Sequence, residues 1–116
     1  MFSGAHVILH SSDAEADRAF VRDVLGFAHV DAGRGWLIFK LPPAELAFHP
    51  TEAPPHSECY LMCDDLDAVL ARLAGHGVQP VAPPTRQSWG TVTAIPLPSG
   101  FELPLYQPTH PVAHGL

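Results

Sequence analysis

Positive charge is scarce in this 116-residue chain, which has six Lys and Arg against twelve Asp and Glu, for a formal charge of -6. A nucleic-acid binder needs a basic stripe to displace counterions from phosphates, so that class is excluded. Charged residues of both signs make up only 16% of the chain, against about 25% in an ordinary soluble domain. With 47% hydrophobic residues, the chain is nevertheless too apolar to stay disordered. No apolar run approaches the roughly 20 residues of a membrane helix, and Met1 to Ser12 lacks a basic segment followed by an apolar one. A soluble, unexported protein without a membrane partner is expected. The two cysteines, Cys59 and Cys63, stand in one short run, where an extended backbone sets them ~13 Å apart, too far for a disulfide. Free thiols in a reducing cytoplasm follow. No Gly-rich phosphate loop and no Gly-x-Ser-x-Gly elbow occurs, so nucleotide chemistry and a serine triad have no support.

Proline and histidine are abundant instead. Thirteen prolines, about twice the usual ~5%, argue against a helical bundle, because proline removes a donor and breaks helix interiors. Strands joined by loops fit better. The length suits one domain. Eight histidines titrate in the physiological range, but only position gives them a role.

Along the chain, Ala5 to Ser11 is β-rich, and Ser12-Asp13-Ala14-Glu15 offers an N-cap before an apolar helical stripe of Ala16, Phe20, Val21, Val24 and Leu25 that Gly26 ends. Strands follow at Phe27 to Val30, Trp36 to Leu41 and Ala44 to His49. Thr51 to His56, with Pro54 and Pro55, reads as a linker. The order then repeats: a strand at Glu58 to Cys63, a helix on Leu66, Val69, Leu70 and Leu73 ended by Gly75 or Gly77, and strands at Val78 to Val81, Gly90 to Ile95 and Phe101 to Tyr106. The tail from Pro108 to Leu116 is expected to fray. Laying one half on the other places Asp13 on Asp65 and His6 on Glu58, 52 residues on in both cases, and Phe48-His49-Pro50-Thr51 matches Tyr106-Gln107-Pro108-Thr109. The expected fold class is α+β, two paired β-α-β-β-β modules (residues 4–50 and 57–107) curving their sheets around a shared cleft within one domain, residues 1–116.

Period-two alternation sets His6, Ile8 and His10 on one face of the first strand and Glu58, Tyr60 and Met62 on one face of the fifth. Two histidines, a carboxylate and a phenol would then converge, and a carboxylate in an apolar cavity can take a proton from beside a carbonyl, with Glu58 as the candidate. Trp36, Trp89 and Tyr106 are candidates to stack on a planar ligand, although large aromatics often simply fill a core. Cys59 and Cys63 face away from Glu58 and Tyr60, beneath a helix.

The ordered set His6-Val7-Ile8-Leu9, Asp13, Phe20-Val21-Arg22-Asp23-Val24-Leu25-Gly26-Phe27, Leu61-Met62-Cys63-Asp64-Asp65-Leu66-Asp67-Ala68-Val69, Trp89-Gly90 and Pro98-Ser99-Gly100-Phe101-Glu102-Leu103 resembles the vicinal oxygen chelate superfamily, which includes glyoxalase I, extradiol dioxygenases and bleomycin-resistance proteins. The resemblance covers nearly the whole chain and implies that the paired sheets form a curved, partly open barrel around the site, in a homodimer. In metal-dependent members each half supplies a ligand from its first strand, which falls here on His6 and Glu58, and in glyoxalases another from its last strand. That last position falls on Pro104, which cannot coordinate, and in the first half on Glu45 or, by the internal match, on Leu46; a one-residue slip decides whether Glu45 faces inward. Two readings stay open. The first is a glyoxalase/bleomycin-resistance-like protein that binds a small organic molecule with no cofactor in a cleft lined by His6, His10, Tyr60, Trp36, Trp89 and Tyr106. The second is a lyase, isomerase or dioxygenase-type enzyme holding a divalent ion (Zn, Ni, Mn or Fe) on His6, Glu45 and Glu58, acting on a carbonyl or diol metabolite.

Overall fold

A computed structural model describes residues 1–116. Its first helix, α1 (Ala14–Phe20), starts at Asp13, whose side chain accepts the Ala16 amide, and runs into a single wider π turn over Val21–Leu25. Gly26 ends it in the left-handed conformation (φ 71°), which glycine adopts without a Cβ clash. A short antiparallel hairpin follows, β1 (His29–Asp31) with β2 (Leu37–Phe39). The second half holds β3 (Leu61–Met62), helix α2 (Leu66–Ala74), β4 (Thr85–Gln87), β5 (Gly90–Pro96) and β6 (Glu102–Pro108). Asp65 caps α2 as Asp13 caps α1, accepting the amide of the residue three on, Ala68.

These last strands form a four-stranded sheet in the order β3-β6-β5-β4, antiparallel except where β3 runs parallel to β6. Alternation gives the sheet two unlike faces. Thr93, Ile95, Leu103 and Leu105 are buried, and the three apolar ones join Cys63, Leu66, Leu73 and Leu97 in the core cluster. Leu66, Val69, Leu70 and Leu73 recur at helical spacing along α2, so one stripe of the helix serves that core. Phe20, Val24 and Leu25 pack against it from the other helix. The opposite face carries Val92 and Ala94 paired with Tyr106 and Pro104, and Met62 beside Tyr106. Pro104 tolerates a central strand because β3 pairs β6 only at Leu105 and Tyr106, so its missing N–H falls outside that ladder.

The second half therefore shows a β-α-β-β-β order, but the sheets are two, of two and four strands, and neither closes into a barrel. The first half departs further from expectation. Ala5 to Ser11 and Ala44 to His49 form no strand, because strand formation needs a partner ladder and none reaches them within the chain. Val78 to Val81 is likewise no strand; Val81 N–H donates once, to Ala94 O, and Pro80, Pro83 and Pro84 deprive the segment of further donors. Its place at the sheet edge is taken by Thr85–Gln87, between two of the expected strands. No helix is long and apolar enough to cross a membrane.

The two halves are tied through Asp17. Its buried carboxylate accepts from Ser11 Oγ (2.6 Å), Ser99 Oγ (2.7 Å) and Ser99 N (3.0 Å), which fastens α1 to the β5–β6 turn. Burial alone would raise its pKa; the three donors outweigh that and hold it below the usual carboxylate value.

Candidate functional site

β4 and β5 are joined by two residues, Ser88 and Trp89, which set the indole at the tip of a tight hairpin. Gly90, next in line, has φ 156° and lies so close to β6 that a Cβ would stand 2.5 Å from the Gln107 carbonyl oxygen. Only glycine allows that approach. The indole then meets two phenol rings. Tyr60 and Trp89 lie 6.1 Å apart at 90°, Tyr60 and Tyr106 5.6 Å at 89°, and Trp89 and Tyr106 5.3 Å at 73°. All three pairs have the edge-to-face geometry that the ring quadrupole favours. The cluster sits on the side of the sheet away from the helices, with Tyr60 still partly exposed.

The C-terminal tail completes this region rather than fraying. Thr109 donates its N–H to Trp89 O and its hydroxyl to Ser88 O, and Tyr106 Oη lies 3.2 Å from His110 Nε2. The Glu45 carboxylate accepts the Ala113 and His114 amides. The Ala113 amide first, and then the His114 amide and the neighbouring imidazoles of His110 and His114, hold Glu45 below its ordinary pKa against a smaller effect of desolvation. Burial pushes the Tyr60 phenol up, helped by the adjacent Glu58 carboxylate, and pushes Tyr106 up with help from Glu45. Both phenols carry their O–H at physiological pH, and that of Tyr106 lies within hydrogen-bond reach of His110.

Of the candidate residues, the structure brings together Tyr60, Trp89 and Tyr106, with Glu58 beside Tyr60 and Glu45 near Tyr106. Trp36 is elsewhere, under the Arg18 guanidinium, whose Cζ is 4.3 Å from the ring centre. His6 and His10 lie on the exposed N-terminal segment, outside any sheet. Cavities of about 410 and 180 Å3 do occur, one between α1 and the β1–β2 hairpin and one among Val24, Leu25, Leu61, Val69, Leu73 and their neighbours, and none of the candidate site residues lines either. His110, in the tail expected to fray, is the one addition, and no local sequence pattern marks it.

No three His, Cys, Asp or Glu side chains gather within the chain, so His6, Glu45 and Glu58 do not assemble as a ligand set there. Glu45 Oε2 is taken by two amides of the tail, and Pro104, on the open face beside Tyr106, has no side-chain donor atom. Cys63 lies in the core and Cys59 is half-buried; both are free, and burial raises both thiols, which makes them poor nucleophiles.

Comparison with known proteins places this geometry in a family context. No curated protein matches the chain. Among solved structures, TnmS3, an antibiotic binding protein from Streptomyces sp. CB03234, is 29% identical, covering 94% of this chain and 100% of its own, with a TM-score of 0.63. A glyoxalase/bleomycin resistance protein from the same organism is 28% identical over 85% of this chain and 95% of its own, with a TM-score of 0.59. Lactoylglutathione lyase from Agrobacterium tumefaciens is similar in fold, with a TM-score of 0.65 at 20% identity over 90% of this chain and 93% of its own. The family model for the glyoxalase/bleomycin resistance protein/dioxygenase superfamily matches residues 4–105, and the chain belongs to that superfamily.

Proposed function

We propose that the protein binds a small, planar organic ligand against the Tyr60, Trp89 and Tyr106 rings, without a complete catalytic metal site of its own. The observation that carries this reading is the three-ring cluster on the helix-free side of the sheet. Aromatic faces and two neutral phenols offer stacking and hydrogen bonding and need no ion. The likeness to an antibiotic binding protein supports the same class of activity. Titration with a planar aromatic probe, proflavine, followed by its own absorbance, tests it. Losing one ring face of roughly 80 Å2 at ~25 cal/mol per Å2 removes about 2 kcal/mol, so Trp89→Ala weakens binding ~30-fold. Equal affinity in the parent and in Trp89→Ala would sink the proposal.

Proton transfer on a carbonyl compound is a second reading, favoured by the position of the Glu58 carboxylate beside Tyr60. It requires turnover that Glu58→Gln abolishes.

We further infer that two copies associate in the cytoplasm, where two free thiols are at home. A 12.5 kDa compact monomer exposes about 6,200 Å2, whereas this chain exposes 8730 Å2. Its radius of gyration, 15.0 Å, likewise exceeds the ~13 Å of a compact chain this long. The excess area is of the size an obligate dimer buries. It includes Val7, Ile8, Leu46 and Phe48, on two segments that found no ladder in one chain, both in half-module 4–50, the first of two (4–50 and 57–107) in a single domain. A monomer by sedimentation at micromolar concentration would overturn this.

A further inference from the structure

We propose that the cavity between α1 and the β1–β2 hairpin is an oxyanion site, suited to a phosphate or dicarboxylate group. It has a volume of about 410 Å3 and lies apart from the aromatic cluster. Three of the chain's six cationic side chains, Arg18, Arg22 and Arg34, line it, in a protein whose formal charge is -6. Glu15 and Asp31 are the two acids of the lining. Set against those two acids the lining is net +1 in an acidic protein, and Arg18 and Arg34 have no acidic partner, which leaves their guanidinium donors free for an anionic occupant.

The arrangement follows from sequence spacing. Glu15, Arg18 and Arg22 recur at three- and four-residue intervals, one face of the helix, while Asp17, Phe20 and Val24 take the other face toward the interior. Arg34 arrives from the hairpin tip. It is the chain's one non-glycine residue with a left-handed backbone (φ 54°), in a turn closed by the Asp31 carboxylate, which accepts the Gly33 and Gly35 amides. Those amides engage Asp31 and leave Arg34 without an acidic partner. Arg18 is held over the Trp36 ring, its Cζ 4.3 Å from the ring centre, and no acidic side chain pairs with it. Arg22 forks onto Asp23 at 2.7 and 2.8 Å, but both groups are well exposed and such a pair exchanges readily. Planar forks of this kind match the paired oxygens of phosphate and carboxylate.

Isothermal titration at fixed ionic strength with inorganic phosphate, with malonate and with chloride tests the assignment in the full chain. Saturable 1:1 binding of phosphate or malonate and none of chloride is expected, and which of the two binds more tightly identifies the preferred source of the oxyanion. Arg18→Gln should weaken it at least tenfold. Arg34→Gly should do the same while preserving the hairpin, since glycine accepts that backbone conformation. Arg86→Gln, on β4 outside the cavity, should leave binding unchanged. In a Trp89→Phe background the remaining tryptophan, Trp36, should change its emission along the same isotherm. Absence of saturable binding, or equal weakening by Arg86→Gln, would overturn the proposal.

Discussion

Replacing Asp17 by alanine probes the tie between the halves most directly. The carboxylate is 8% exposed and holds three donors, two of them on Ser99, 82 residues away in sequence. Hydrogen bonds to a charged group are worth about 1.5–3 kcal/mol each, but the three share one acceptor, so their deletions do not add. Leaving Ser99 N–H without a partner and opening a small void gives an expected loss of about 2–4 kcal/mol for Asp17→Ala. Asp17→Asn, which keeps one acceptor oxygen, should lose about 1–2 kcal/mol. At roughly 4 °C per kcal/mol for a domain this size, the alanine variant should melt about 8–15 °C lower. Because the folded-state pKa is depressed, the carboxylate's contribution is complete above the unfolded value, near 3.8, and is lost as pH falls through the lower folded value. Urea melts of parent and Asp17→Asn should therefore begin to converge as pH falls below about 4 and meet only below the folded-state value. A double-mutant cycle with Ser99→Ala should give a coupling of at least ~1 kcal/mol. A loss under ~0.5 kcal/mol at pH 7, or a difference that does not change with pH, would refute this account of the network.

Three further outcomes follow from other parts of the molecule. Ile95, fully buried at the middle of the core, should cost about 2–4 kcal/mol as Ile95→Ala and ~1 kcal/mol as Ile95→Val in chemical denaturation. Gly90→Ala forces a Cβ into the Gln107 carbonyl, and at least ~2 kcal/mol of stability should be lost together with probe binding at the neighbouring Trp89. Glu45→Gln weakens the carboxylate that receives the tail amides, so Ala113 and His114 should exchange amide hydrogen faster and the tail should be cleaved sooner by protease, while the core amides are unchanged.

The sequence by itself determined what depends on near neighbours. The first helix starts at Asp13, inside the expected N-cap run, because a side-chain cap acts over three residues, and Gly26 stops it because its left-handed backbone is a local property. The apolar stripe of α2, the two long strands Gly90–Pro96 and Glu102–Pro108, and the burial of Cys63 were equally legible from periodicity. Family membership was legible too, since the ordered motifs span the chain. Tertiary structure decided everything that depends on distant partners. Ala5 to Ser11 carries strand-forming residues, yet a strand exists only with a ladder, and none reaches it within one chain, so His6 and His10 stay exposed. Alternation put Tyr60 on a face, but only the pairing of β3 with β6 and the close approach at Gly90 brought it against Tyr106 and Trp89. Trp36 and Trp89 were equivalent in sequence; one ended under Arg18 and the other in the ring cluster, because their hairpins belong to different sheets. Proline shows the same division. Its count spoke against a bundle, whereas the harmlessness of Pro104 in a central strand depended on where a two-residue ladder begins.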